Sequence, residues 1–554
     1  MAKLRGVDIY VKVNTGTHEV PVWTKVGGQN GGTLTMSLSD FDVTDKDSAG
    51  FEENMAGIRS VEIEFDAFLI EDNVGYIEMQ KGFWERKDLE LQVITPAMTY
   101  SGYFRLTEMP IEGPSDDAAT VSFSLKSTGV VARATGGEPP APPPDVIWAA
   151  SPELADVQAA IASAEVGDTV MVPDGTATWS EALIITKGIT LKAETVGGVT
   201  IISGAASGGD YFDPANFLIA YVPASDQVNS PFRLSGFVLD GNSDRFTFYA
   251  KNQYLTPVSQ FRVDHCIIKN SKGSLMHFYG EVYGVIDNNE LRGDTTPDFV
   301  TRDFALNETT WNNFTFDFGT ANNRYYEDND VYLGEYGTWN EGGLGGRFCV
   351  RNNQIVHLGS ALCTGWDIHG NQPGANLACM GAEVYGNTID VNGKSFRFFG
   401  VRGGKALIYN NTASEAGGDS YYGGTIIEEY LDSLNPPETN PAGQPQHISD
   451  SYIFNNVVNS IRRDPYLQGQ VYYESLERNV PEWDKDAWRQ VETFDGSSGV
   501  GVGLLSERPA SCTTEGVAWW ATDENKLYRW HNGAWELYYT PYTYPHPLRT
   551  TLND

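Results

Sequence analysis

Apolar and polar positions alternate with period two in three early segments. Leu34, Met36 and Leu38 alternate with Thr and Ser; Val61, Ile63 and Phe65 alternate with Glu62, Glu64 and Asp66; Val121, Phe123 and Leu125 alternate with Ser122 and Ser124. One apolar face per strand is the pattern of half-buried antiparallel strands. Between the second and third segments the spacing predicts one helix over 73–86. Val74, Ile77 and Trp84 fall near one face of it, and Asp72 or Asn73 can cap it. Residues 1–132 are therefore expected to form a β-sandwich or barrel with one packed helix.

The pattern changes after Gly136-Gly137-Glu138-Pro139-Pro140-Ala141-Pro142-Pro143-Pro144. A Pro-rich spacer between two unlike patterns separates two modules. Past it, Ser151-Pro152-Glu153-Leu154 predicts a helix start, with Ser151 as cap and Pro152 at the first helical position. Leu154, Val157 and Ile161 give it an apolar stripe, and it is expected to end near Gly167. Short strands follow at Val170 and Val172, Ile189 and Leu191, and Ile201 and Ile202. An amphipathic helix ahead of short strands suits the closed end of a solenoid, whose first rung would otherwise expose an edge.

A repeat then dominates: apolar–x–apolar–x–Asn–Asn–x–apolar. It includes Val285-Ile286-Asp287-Asn288-Asn289, Cys349-Val350-Arg351-Asn352-Asn353, Ala406-Leu407-Ile408-Tyr409-Asn410-Asn411 and Ile453-Phe454-Asn455-Asn456. Asn289 to Asn329 is 40 residues, Asn329 to Asn353 is 24, Asn387 to Asn411 is 24 and Asn411 to Asn456 is 45. A unit near 24, longer where a loop is inserted, is the coil period of a parallel β-helix. Asn suits the turn because it tolerates left-handed backbone and because stacked Asn side chains can bond from coil to coil. At the end of the chain, residues 516–535 predict two or three strands, with turns at 523–525 and at Asn532-Gly533. Trp519, Trp520, Trp530 and Trp535 are either the core of a small β unit or a sugar platform. The stretch is similar to a small module of phage tail fibres and reads as self-contained. The expected division is 1–132, a linker over 133–146, a β-helix over 147–495 and a small β module over 496–554.

Composition narrows the function classes. The 554 residues include 13 Trp, 28 Tyr and 26 Phe, enough for large cores, and 58 Gly, as in turn-rich β proteins. The net charge of -35 excludes a surface built to hold nucleic-acid phosphates, yet suits a wall that DNA slides past. Five cysteines without a C-x-x-C pair argue against a disulfide framework or zinc site and predict buried free thiols made in a reducing cytoplasm. The N-terminus lacks an apolar signal region, and no stretch is apolar enough to cross a bilayer, so neither export by an N-terminal signal nor membrane insertion is expected.

The first module carries Arg5-Gly6-Val7-Asp8-Ile9-Tyr10-Val11, then Trp23-Thr24-Lys25-Val26-Gly27-Gly28-Gln29. Asp42-Val43-Thr44-Asp45-Lys46-Asp47-Ser48-Ala49-Gly50 follows, then Glu53-Asn54-Met55-Ala56-Gly57 and Ser122-Phe123-Ser124-Leu125-Lys126-Ser127-Thr128-Gly129. In this order they resemble the major tail tube protein of long-tailed phages. The resemblance implies hexameric rings, stacked into a tube that conducts DNA during ejection. It implies as partners the chain itself, tape measure, terminator and distal tail proteins, and genomic DNA in transit without specific binding. It implies a virion protein assembled in the host bacterial cytoplasm. Residues 1–130 hold 21 acidic against 11 basic side chains, a net of -10. That fits a bore that repels the DNA backbone, and equally an ordinary acidic surface. The polar loop over 39–57 reads as an arm reaching a neighbouring subunit or as a flexible surface loop.

The second module resembles the right-handed parallel β-helix of the pectate-lyase-like families. That resemblance implies the fold; the fold hosts lyases, hydrolases, tailspike depolymerases and inert scaffolds. Val263-Asp264-His265-Cys266 resembles the Asp-His segment of pectate lyases, but Arg262 replaces the usual tryptophan and no Arg-x-Pro-x-x-Arg segment follows. His265 therefore reads as a coil-turn residue. Glycoside hydrolysis needs two flanking carboxyl groups. Candidates are Asp294, Asp298, Asp303, Glu335, Glu341, Asp367, Asp419, Glu428 and Glu429, with Tyr421-Tyr422 beside the last two. Spacing cannot choose a pair in a solenoid. Asp328-Asn329-Asp330 reads as a solvated loop or a calcium site, and His531 and His546 are too isolated to be ligands. The expectation is an all-β structural virion protein without catalytic, cofactor-binding or metal-ligating residues and without cofactors. Its β-helix is an outward decoration with a host-surface glycan as a candidate partner. The alternative is a carbohydrate-binding or polysaccharide-degrading β-helix anchored to a tail by its first domain.

Overall fold

The computed structural model describes residues 10–16, 21–42, 54–71, 73–95, 98–113, 119–135, 146–293, 299–304, 316–334, 337–359, 363–372, 377–414, 424–429, 446–459, 461–462, 465–472 and 481–552. The chain divides into two compact units, Met1–Pro143 and Pro144–Asp554, at a point inside the Pro-rich stretch.

The first unit is one antiparallel sheet with a helix on it. Its strands are β1 (Tyr10–Asn14), β2 (Trp23–Lys25), β3 (Gln29–Asp42), β4 (Asn54–Phe68), β5 (Leu89–Ile94), β6 (Met98–Glu108), β7 (Ile111–Glu112), β8 (Thr120–Ser127) and β9 (Ala132–Thr135). The strand order is β2-β1-β5-β6-β8-β4-β3, with β7 on β8 and β9 on β6. Ile63, Phe65, Val121, Phe123 and Leu125 are buried as their alternation requires. Phe65 stacks on Phe123 with ring centroids 4.7 Å apart.

Helix α1 (Val74–Trp84) is capped by Asn73, whose Oδ1 accepts the Tyr76 N–H at 2.9 Å. Its buried face differs from the expected one. Tyr76 and Met79 pack inward, whereas Val74, Ile77 and Trp84 stay exposed. The reason is glycine. A Cβ on Gly75 would lie 2.7 Å from the Lys25 carbonyl, and one on Gly82 would lie 2.6 Å from Leu89 Cγ. The helix seats on its two glycines, and a pattern of large apolar residues does not register that face.

In the second unit a short strand, Val146–Trp148, precedes α2 (Leu154–Ser163). The helix starts later than the Ser-Pro signal suggests: Glu153 is the cap residue, and the Ser151 hydroxyl accepts the Glu153 N–H at 3.2 Å instead. Val157 and Ile161 are buried among the first coils, and Trp179 Nε1 donates to the Pro152 carbonyl at 3.0 Å. Among the described residues the coils form three sheets of 12, 11 and 10 strands. All pairings within them are parallel except the last one of the second sheet, between Val457–Val458 and Ile461–Arg462. The first sheet runs from Val146–Trp148 to Ala487–Arg489, and the third from Leu183–Ile185 to Tyr466–Tyr472.

Each Asn-Asn pair splits its work. The first position takes the left-handed turn: φ is +54° at Asn288, +58° at Asn352, +69° at Gly386 and +53° at Asn410. His265 holds the same place with φ +54°. The second position builds a buried ladder, Asn289–Asn329–Asn353–Asn387–Asn411–Asn456. Each Oδ1 after the first accepts both the N–H and the Nδ2–H of the preceding Asn at 2.9–3.2 Å. The Asn289 Oδ1 accepts the Cys266 N–H instead, at 2.9 Å.

The C-terminal strands Val500–Gly503, Ala518–Ala521, Lys526–His531 and Ala534–Tyr539 form a four-stranded sheet, and it is not self-contained. Its Trp520, Leu527, Trp530 and Tyr539 share one core with Tyr325, Leu407, Tyr409, Tyr452 and Phe454, which point outward from the first sheet of the β-helix. The last residues run back along that sheet. Arg351 donates to the Tyr542 and Thr543 carbonyls, each at 2.7 Å, and Arg262 to those of Arg549 and Leu552 at 3.1 and 3.0 Å.

Candidate functional site

Two places carry features that a fold alone does not require. The first is the long β3–β4 hairpin. β4 pairs with β8 only from Glu62 to Phe68, yet β3 and β4 pair with each other out to Asp42 and Asn54. Both ends of the stretch expected to be a loop are therefore strand. Beyond the sheet the hairpin is a two-stranded ribbon with Met36 57% and Leu38 51% exposed on the side that faces the core further back. A bulge between Leu38 and Asp40 bends it, and there the Ser39 hydroxyl accepts the Ile58 N–H at 2.9 Å. At its base lies an open groove of about 620 Å³ between 58–61 and 126–131. Residues 43–53 of the predicted arm lie outside the described residues. An isolated two-stranded ribbon is at best marginally stable in water, and this one leaves apolar side chains uncovered. A second exposed apolar stripe is the outer face of α1, with Trp84 76% exposed.

The other face of the sheet is polar. Glu62, Glu64 and Asp66 project from it beside Thr33, Thr35, Ser122 and Ser124. Glu62 pairs with Lys126 at 2.9 Å, and Asp66 accepts from the Ser122 hydroxyl at 2.5 Å.

The second place is a charged cluster on the outward face of the third β-helix sheet. Register places Arg302, Glu341 and Asp367 in one row. His369 Nε2 lies 3.0 Å from Glu341 Oε1 and 3.2 Å from Asp367 Oδ2. Arg302 meets Glu341 at 2.7 Å, and Arg402 bridges Asp367 to Glu429, donating to both Glu429 oxygens at 2.7 and 2.8 Å. Burial disfavours charge on His369, but Asp367 and Glu341 outweigh it and raise the imidazole to about 9. Burial likewise opposes ionisation of Asp367, but Arg402 and His369 hold its carboxyl well below the usual range. Three carboxylates thus face two guanidinium groups and one imidazolium. A glycosidase acid must stay protonated near its working pH; Asp367 is tuned the opposite way.

The remaining candidates are scattered. Asp303 points into the coil interior, opposite to Glu341. Burial raises it to about 6 against the pull of Arg324, and it accepts from the Tyr326 hydroxyl at 2.9 Å and from Asn340 at 2.6 Å. Glu428 accepts from the Ile448 N–H at 3.2 Å and meets His447 Nδ1 at 3.0 Å, in a separate pocket of about 260 Å³. Asp264 is buried against Arg233 at 2.7 and 2.9 Å, and His265 bonds to it at 2.6 Å from its turn position. Asp328 accepts from the Tyr544 hydroxyl at 2.8 Å and pairs with Arg549, while Asn329 belongs to the ladder and Asp330 opens a strand. His531 is exposed beside Glu515, and burial lowers His546 to about 3 between Tyr325 and Tyr542. Trp520 and Trp530 are buried in the C-terminal core, with Trp535 packed against it, while Trp519 is buried beside Phe494, its Nε1 donating to the Leu504 carbonyl at 3.2 Å. Asp294, Asp298, Glu335, Asp419, Tyr421 and Tyr422 lie outside the described residues. Of the cysteines, Cys266, Cys349, Cys363 and Cys379 are buried thiols outside any disulfide, while Cys512 is only half-buried.

Sequence pattern alone does not single out His369, Arg302 and Arg402, which organise the cluster. Trp366-Asp367-Ile368-His369 carries a signal, since residues two apart in a strand share a face.

Among known proteins, residues 3–133 match the family model described as phage tail tube protein. The rest of the chain lies outside that match. No curated protein sequence matches the chain. Among solved structures, the chain is similar to one from the tail of an empty GTA particle refined with C6 symmetry. The identity is 22%, the coverage 24% of this chain and 98% of that one, and the TM-score 0.21. It is also similar to ORF18 of Geobacillus virus E2, at 13% identity over 69% of this chain and 82% of that one, with a TM-score of 0.33. A third is the family 28 exopolygalacturonase of Yersinia enterocolitica, at 12% identity over 75% and 78%, with a TM-score of 0.28.

Proposed function

We propose that the chain is a subunit of a phage tail tube whose rings are hexameric and stack into a conduit for DNA, with the β-helix carried as a decoration outside the bore. The observation that carries this reading is the β3–β4 ribbon on a unit that matches a tail tube family. It leaves the sheet with its apolar face uncovered, as an arm that docks on the next subunit does. A tube needs contacts within a ring and between rings, and the unit offers two separate apolar faces: the ribbon with Met36 and Leu38, and the α1 stripe with Val74, Ile77 and Trp84. The polar face with Glu62, Glu64 and Asp66 lines the bore. Its carboxylates repel the DNA backbone and keep transit free of sticking.

The β-helix binds neutral glycans of the host surface rather than cleaving them. The clustered carboxylates favour this reading, because Glu341, Asp367 and Glu429 are each matched by a cation. Assembly takes place in the host cytoplasm, with the other tail proteins as partners.

Copy number tests the tube reading. Peptide counting by mass spectrometry on purified virions should rank this chain among the most abundant virion proteins. A few copies per virion would replace it by the anchored-β-helix alternative.

A further inference from the structure

We propose that the β-helix holds a neutral saccharide in a groove between its turn row and the returning C-terminal segment. This rests on the reading of the β-helix as a glycan-binding decoration and names its site. The turn row runs through Asp328, Asn352, Gly386, Asn410 and Asn455, and all five take positive φ. Of these five only Gly386 lacks a side chain, and its place in the row opens into a groove of about 460 Å³. That volume is in the range of small-ligand sites, about 300–1,000 Å³.

The walls suit a sugar. Asn352, Asn410 and Asn525 offer side-chain amides, which donate and accept and so match hydroxyl groups that do both. Tyr542 and Tyr544 offer aromatic faces, and Tyr544 is 48% exposed. These rings are fixed before any ligand arrives. Arg351 donates to the Tyr542 and Thr543 carbonyls at 2.7 Å, its guanidinium lies 5.2 Å from the Tyr544 ring centre, and the Tyr544 hydroxyl donates to Asp328 at 2.8 Å. A preformed platform loses little entropy on binding. Among the described residues no charged side chain lines the groove, although the chain carries a net charge of -35. The ligand class is therefore neutral: hexose or N-acetylhexosamine oligosaccharides, not uronates or sialylated chains.

The sequence itself supplies a substitution that fills the groove. Gly386→Asn restores the residue found at 352 and 410. Its Cβ meets the Asn352 Oδ1, the far end of a side chain that can swing aside. The full-length protein is applied to a glycan array carrying neutral, uronate and sialylated oligosaccharides, together with Gly386→Asn, Tyr544→Ala and Asn410→Gly. The expected result is binding of wild type to neutral features, weakened at least tenfold in each variant with melting temperature unchanged for Gly386→Asn. Equal binding by wild type and all three variants overturns the groove and leaves the decoration reading standing. Binding to acidic features alone overturns the ligand class. No binding to any feature overturns the groove and the decoration reading together.

Discussion

The side-chain amide of Gln29 holds both backbone groups of Val11: its Oε1 accepts the Val11 N–H at 2.8 Å, and its Nε2 donates to the Val11 carbonyl at 2.8 Å. Gln29 opens β3 at one end of the strand order, and Val11 sits on β1 near the other. One side chain thus stands in for a strand partner and ties the two ends of the sheet together, at the end of β3 opposite to the ribbon. Gln29→Leu takes the partner from the buried Val11 N–H, while the Val11 carbonyl keeps the Val26 N–H at 3.2 Å, and should cost about 2 kcal/mol. Urea unfolding of the full-length chain, followed through the first unit's transition, should show a lowered midpoint with unchanged slope.

The ribbon's apolar face should matter for assembly and not for folding. Met36 and Leu38 are exposed in the single subunit, so Leu38→Asp alters no core contact. Its melting temperature should match wild type within about 2 °C, since an exposed substitution changes stability by under about 0.5 kcal/mol. Sedimentation velocity should find rings and stacks in the wild type and single subunits in the variant. Unaltered ring formation would show that the ribbon face is not an interface.

The two positions of an Asn-Asn pair should respond differently to substitution. Asn353 accepts both amide bonds from Asn329 and donates to the Tyr326 carbonyl at 2.9 Å and to the Arg351 carbonyl at 2.8 Å, all buried. Asn353→Ala should therefore destabilise the β-helix by about 3 kcal/mol or more. Asn352→Gly keeps a residue suited to positive φ and should cost less than about 1 kcal/mol. Differential scanning calorimetry of the two variants makes the comparison within one turn.

The charged cluster predicts a pH dependence. His369 titrates at about 9 in the folded chain against an ordinary 6.5, because Asp367 and Glu341 outweigh its burial. The folded state binds this proton more tightly than the unfolded state. The stabilisation is complete below pH 6.5 and is lost as pH rises through 9, on the order of 3 kcal/mol at most. The melting temperature of the β-helix should fall between pH 7 and 9.5 in wild type, and His369→Gln should flatten that slope. A slope of equal size in the variant would remove His369 from the account.

How legible each part of the molecule is in the sequence follows the range of the interactions involved. The coils and their ladder repeat a local rule at short intervals, so Asn289, Asn329, Asn353 and Asn411 mark them by spacing alone. The packed face of α1 escapes the apolar pattern because Gly75 and Gly82 create it, and glycine carries no apolar signal. The C-terminal sheet reads as independent because its partners are remote: Tyr539 bonds Glu383 across 156 residues, and Arg262 bonds Leu552 across 290. In the candidate site, Glu341, Asp367 and Glu429 stand among many candidate carboxylates, and only sheet register selects them and adds His369 and Arg402. The groove at Gly386 is invisible in the sequence for a similar reason, since a missing side chain has meaning only beside its stacked neighbours.

Cryo-electron microscopy of intact virions tests the central claim most directly. The tube reading predicts six-fold rings stacked along the whole tail, each subunit bearing lateral density large enough for the β-helix, and a smooth tube when residues after Gly136 are deleted. Density for this chain confined to the tail tip, or present as isolated trimers, would contradict it.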